Sequence, residues 1–186
     1  AAVMLALCTV AAYALTQLYS GRGAYIHFGA MLGTIMTANV FFVIMPGQRE
    51  MVKARVDGRA PDPVHGARGK QRSVHNTYFT LPVLFTMISN HYALFTNAKW
   101  NWLVLMAIAL AGVFIRLFFT FRHRGIVKPS FWAIGIALLA AVFVALMPRG
   151  AGTAAGEATF ADVQAIVVAR CASCHAATPT FAGFAA

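Results

Sequence analysis

The sequence predicts an all-α protein, a polytopic bundle of transmembrane helices followed by the start of a small helical domain, and three observations carry that prediction. The chain of 186 residues is 60% hydrophobic and 11% charged, with a mean hydropathy of +0.69, outside the range of ordinary soluble domains. Its apolar residues gather into runs long enough to cross a bilayer as helices, the conformation that satisfies the backbone of an isolated span in lipid. It then closes on "RCASCHAATPTFAGFAA", in which Cys171, Cys174 and His175 have the C-x-x-C-H spacing of a covalent c-type haem site. The final domain is therefore expected to be an α-helical cytochrome c domain.

A span needs about 20 mostly apolar residues. Five stretches meet that length, 1–19, 24–45, 73–95, 100–121 and 129–147, and none of the five acidic residues falls inside them. The loops set the orientation. Arg49, Lys53, Arg55, Arg59, Arg68, Lys70 and Arg72 lie between the second and third spans, and Arg122, Arg124 and Lys128 between the fourth and fifth. The alternate loops hold Arg22 and Lys99 alone. By the positive-inside rule the two basic loops are cytoplasmic, so everything after Met147 lies on the outer, periplasmic side of a bacterial inner membrane. Tyr19, Tyr25, Tyr92, Trp100 and Trp102 are expected at the outer interface, with Phe121 and Trp132 near the inner one.

The net charge of +10 is thus mainly a topology signal. It is spread over loops between spans and forms no continuous nucleic-acid face. Three domains are expected: a transmembrane part over 1–148, a Gly/Ala-rich linker over 149–158, and a truncated cytochrome c domain over 159–186. In the last, Phe160, Val163, Ile166 or Val167, and Arg170 fall at helical spacing and lead directly into Cys171. Residue 1 is Ala inside an apolar run, without the charged flank of a signal peptide. The sequence reads as a fragment of a longer protein.

The chemistry of the terminal motif follows from its spacing. Cys171 and Cys174 form thioethers to one haem edge, and His175 becomes the proximal iron ligand. A zinc site needs two more ligands and a redox C-x-x-C a thioredoxin-like fold, and nothing downstream supplies either. All eight Met residues precede His175, so the sixth iron ligand is expected either in sequence beyond this fragment or not at all.

Polar residues inside spans are costly and mark function. The polar groups in and beside the spans fall into two layers by depth. Asn39, Gln48, Arg72, His75, Asn76 and Arg116 lie toward the cytoplasmic side, and His27, Asn90 and His91 toward the outer side. The inner layer suits a planar polar anion, because guanidinium and amide groups offer paired hydrogen bonds. Arg116 also fits a simple snorkelling role near a span end. His27 and His91 fit either as ligands of a haem b between spans or as two histidines with local hydrogen bonds, the simpler reading for two isolated residues. Gly29 and Gly33 read as a G-x-x-x-G packing face.

Continuous stretches of the chain, "HFGAMLGTIMTANVFFVIMPGQR", "GRAPDPVHGARGKQRSVHNTYFTLPVLFTMISNHY", "WNW" and the terminal "CASCH", closely resemble the membrane-bound bacterial urate hydroxylases, also called cytochrome c urate oxidases. The resemblance runs through most of residues 22–186. It implies a multi-pass membrane enzyme that oxidises urate to 5-hydroxyisourate and passes the electrons through haem c to a respiratory cytochrome or terminal oxidase. Within that frame His75 is the expected general base and Arg72 the anion anchor, with Asn76 and Asn39 completing the site. The competing expectation is a membrane-anchored c-type cytochrome that relays electrons from quinol without urate chemistry of its own.

Overall fold

A computed structural model describes residues 2–147 and 159–170. The described residues are helical throughout, without strands, and fall into two units, Ala1–Met147 and Pro148–Ala186. The first unit contains α1 (Ala2–Leu18), α2 (Gly21–Asn39), α3 (Met45–Val56), α4 (Pro63–Ile88), a short α5 (Ala93–Thr96), α6 (Asn101–Arg122) and α7 (Pro129–Leu146). Within the second, α8 spans Phe160–Arg170. The expected linker over 149–158 and the C-x-x-C-H motif lie outside the described residues.

Among the described residues three helices are long and apolar enough to cross a membrane: the continuous 36-residue run Gly21–Val56, then Asn101–Arg122 and Pro129–Leu146. Helix α1 is apolar but has 17 residues. Helix α4 is long enough at 26 residues, but its first turns are basic and polar.

Two expected boundaries move. The basic segment after Ile44, read as a loop, is largely helical, because α2 continues through a π-helical turn at Val40–Ile44 into α3. Pro46 explains the widened turn: its ring has no N–H for the carbonyl four residues earlier and crowds it. Helix α3 then ends in a Schellman motif. Arg59 N–H donates to Ala54 O (3.0 Å) and Gly58 N–H to Arg55 O (3.2 Å), with Gly58 at φ +71°, a conformation glycine adopts without strain. Helix α4 starts at once with Asp62 as N-cap, its carboxylate accepting from Val64 N–H at 2.8 Å, and Pro63 in the first turn. The basic residues therefore ride on a helical hairpin, closed where Gly47 lies against His65.

The third expected span also shortens at its far end. Helix α4 stops at Ile88, continues as a 3₁₀ turn through His91, and breaks at Tyr92. There the hydroxyls of Thr86 and Ser89 take up the carbonyls of Val83 and Thr86, a local competition with helical bonding.

The main apolar core joins Cys8 and Ala12 of α1, Ala24, Tyr25, Phe28 and Leu32 of α2, and Leu105 and Met106 of α6. Tyr25 is fully buried. Its hydroxyl reaches Asn101 O (2.7 Å) and Phe95 O (3.1 Å), which satisfies the one polar atom of an otherwise apolar ring. Of the G-x-x-x-G pair only Gly29 packs. A Cβ there would stand 2.0 Å from Thr86 Oγ1, whereas one at Gly33 would meet nothing within 4 Å. In contrast, the outward faces of the bundle are apolar, with Leu7, Val10, Phe42 and Phe143 all exposed.

Candidate functional site

The polar residues of the inner layer sit toward the basic end of the bundle, where α2, α4 and α6 run side by side. Asn39, at the last position of α2, donates from Nδ2 to Asn76 Oδ1 on α4 at 2.8 Å. Asn76 in turn donates from Nδ2 to Met36 O at 2.9 Å. That carbonyl already accepts the Val40 backbone N–H immediately before the π turn. The amide pair thus holds α4 against the point where α2 changes its pitch, a kind of helical irregularity that recurs at functional sites.

On its other side α4 meets α6. Arg116 Nε donates to Thr77 O at 3.3 Å, one residue along from Asn76. Arg116 is half-buried and tied to a neighbouring helix, so it has a bonding role that snorkelling alone would not require. Sequence reasoning put Arg116 at this depth and missed the bond. Pro82 was no signal for it, because the carbonyl that loses its helical donor there is Tyr78 O and not Thr77 O.

The remaining expected site residues are distributed differently. Arg72, His75 and Gln48 are exposed. His75 shares a helical face with Pro82, Thr86 and Ser89, all three of them buried. That face is closed at Thr86 by Gly29 and at Pro82 by Gly112, and two turns further toward the basic end it is open at His75. Arg72 lies about one more turn in the same direction. That face is closed along Pro82, Thr86 and Ser89 and open at its basic end, where His75 and Arg72 are exposed, while the amide pair and Arg116 are half-buried on the sides of α4 that meet α2 and α6.

At the opposite end His27 Nδ1 lies 2.8 Å from Gly23 O, and its ring stacks on Tyr19 at 4.3 Å and 10°. His91 is exposed in the 3₁₀ turn. His27 thus has a local hydrogen bond and a stacking partner, the arrangement expected of an interfacial histidine. Among the described residues no group of three His, Cys, Asp or Glu side chains gathers as a metal site.

The family model for the urate oxidase N-terminal domain matches residues 1–147. The chain belongs to this urate oxidase N-terminal family. The match covers the helical bundle and stops where α7 stops, so it includes every residue of the inner polar layer. No curated protein and no solved structure matches the chain. Membership of the urate oxidase N-terminal family points to urate oxidation and so to an oxidoreductase.

Proposed function

We propose that the chain is the membrane portion and cytochrome start of a membrane-bound urate hydroxylase. The observation that carries this reading is the urate oxidase N-terminal match over 1–147, lying on a helical bundle whose outer faces are apolar. Five helices cross the bilayer: α1, α2, α4, α6 and α7, with α1 at about 25 Å spanning a locally thinned core and α4 packed against α2 and α6. The basic hairpin and the α6–α7 loop face the cytoplasm, and the segment from α8 onward faces the periplasm.

Urate gains an oxygen at C5 from water, and two electrons and two protons leave, so hydrogen peroxide need not form. His75 acts as general base at the open end of this α4 face, where a proton can pass to solvent. Arg72 attracts the urate monoanion at the same end, and Asn76 with Asn39 offers amide hydrogen bonds to the urea-like edges of the ring. Cys171, Cys174 and His175 fit a covalent haem c by the chemistry of their donor set. When bound, that haem supplies a one-electron relay toward a respiratory cytochrome or terminal oxidase.

The test uses membranes containing the complete protein. Urate, added without quinol, is expected to bring up the reduced c-type haem band and to yield 5-hydroxyisourate. A haem reduced by quinol and indifferent to urate would replace this reading with that of an electron-relay anchor.

A further inference from the structure

Arg116 belongs to a register between α4 and α6. On α6, Gly112 lies against Pro82, since a Cβ on Gly112 would stand 3.0 Å from Leu81 Cβ and 3.2 Å from Pro82 Cδ. Bringing the helices together there carries the next turn of α6, with Arg116, alongside the turn of α4 that precedes Pro82. Pro82 offers no N–H to Tyr78 O, four residues earlier, and the neighbouring Thr77 O takes two side-chain donors. Thr80 Oγ1 donates to Thr77 O at 2.7 Å, and Arg116 Nε donates to the same oxygen at 3.3 Å.

The Nε bond holds the guanidinium by one edge and leaves its two terminal nitrogens. Among the described residues these make no hydrogen bond or ion pair. Both ion pairs of the described residues belong to Arg59, and none of the five acids lies in α1, α2, α4, α6 or α7. A cation held between apolar helices without a carboxylate is costly. Across α4, next to Thr77, the Asn76–Asn39 amide pair is fixed against α2. The amide pair approaches α4 from α2 and the guanidinium fork from α6, and among the described residues no carboxylate stands beside that fork.

We infer that Arg116 is the inner binding residue for the anionic substrate. Its terminal N–H groups take one urea-like edge of the urate monoanion in paired hydrogen bonds, a geometry to which a planar guanidinium is matched and an ammonium is not. Arg72, exposed nearer the basic end, meets the anion first, and Arg116 receives it on the α6 side of α4. This rests on the urate reading above and adds to it the residue that neutralises the bound ring.

The experiment compares urate kinetics of the full-length enzyme in membranes. Arg116→Gln raises KM by roughly tenfold or more, the loss of a charge-assisted pair, while kcat changes by less than about threefold. Arg116→Lys, which keeps the charge and loses the fork, falls between. Added guanidinium partly restores the KM of Arg116→Ala. Arg122→Gln, exposed in the last turn of α6, leaves both constants unchanged. A wild-type KM in Arg116→Gln overturns the assignment and makes Arg116 a helix-pairing residue. Should that variant fail to accumulate, a wild-type KM in Arg116→Lys overturns it as well. Wild-type protein that does not oxidise urate at all would sink the functional reading, a result separate from either of these.

Discussion

Asn39 and Asn76 hold each other across α2 and α4, Nδ2 to Oδ1 at 2.8 Å, at the last residue before the π turn. The bond fixes the relative depth of two long helices, and through Asn76 Nδ2 to Met36 O it also fixes their rotation. Such interhelical amides are worth about 0.6 kcal/mol on average and under about 2 kcal/mol at most in membrane proteins. Asn39→Ala and Asn76→Ala are each expected to lower stability within that range. The double variant should cost less than the sum, because both remove one bond. Additive losses in a detergent unfolding titration would show that the two amides act separately.

Gly29 and Gly33 are alike in sequence and opposite in setting. Alanine at 29 puts a Cβ into Thr86 and forces α2 from α4, at about 1–3 kcal/mol. At 33 the same change meets open space and gains up to about 1 kcal/mol of helix propensity. Thermal stability of the two purified variants checks this, and equal effects would refute the packing seen at Gly29.

His75→Ala is expected to lower urate turnover by about a hundredfold or more, the usual contribution of a general base, with the helical content intact because His75 is exposed. Normal turnover removes His75 from the mechanism.

A pH effect is expected at α8. Thr159 donates its hydroxyl (2.7 Å) and its backbone N–H (2.9 Å) to Asp162 Oδ2, a capping box. The side-chain bond first, then the backbone bond, holds the Asp162 carboxyl below its ordinary value near 3.8. A lowered folded value means the cap stabilises α8 fully above about pH 4 and is lost as pH falls through the folded pKa. Amide exchange at the start of α8 should accelerate with acid, and Asp162→Asn should abolish that dependence.

A pyridine haemochrome spectrum of the complete protein is expected to show c-type haem alone, lost in Cys171→Ala/Cys174→Ala. A b-type component in wild type, removed by His27→Ala, would instead restore the haem b placed between His27 and His91.

The apolar runs of the helices, the spacing of Phe160 to Arg170 that leads into Cys171, and the punctuation at Gly58, Asp62 and Pro63 were all determined by the sequence itself. Each of these depends on hydropathy or on backbone chemistry within a few residues. The helical state of the basic hairpin was not legible, because a solvated polar helix lacks the apolar period that announces one. Depth along a span was legible too, and it assembled the inner layer of Asn39, Arg72, His75, Asn76 and Arg116. Depth is one coordinate only. The tertiary structure alone decided rotation, turning Asn76 to Asn39, Arg116 to Thr77 and Tyr25 into the core, while His75 and Arg72 were left at the open end. Those orientations come from close approaches at Gly29 and Gly112, contacts between residues far apart in the chain.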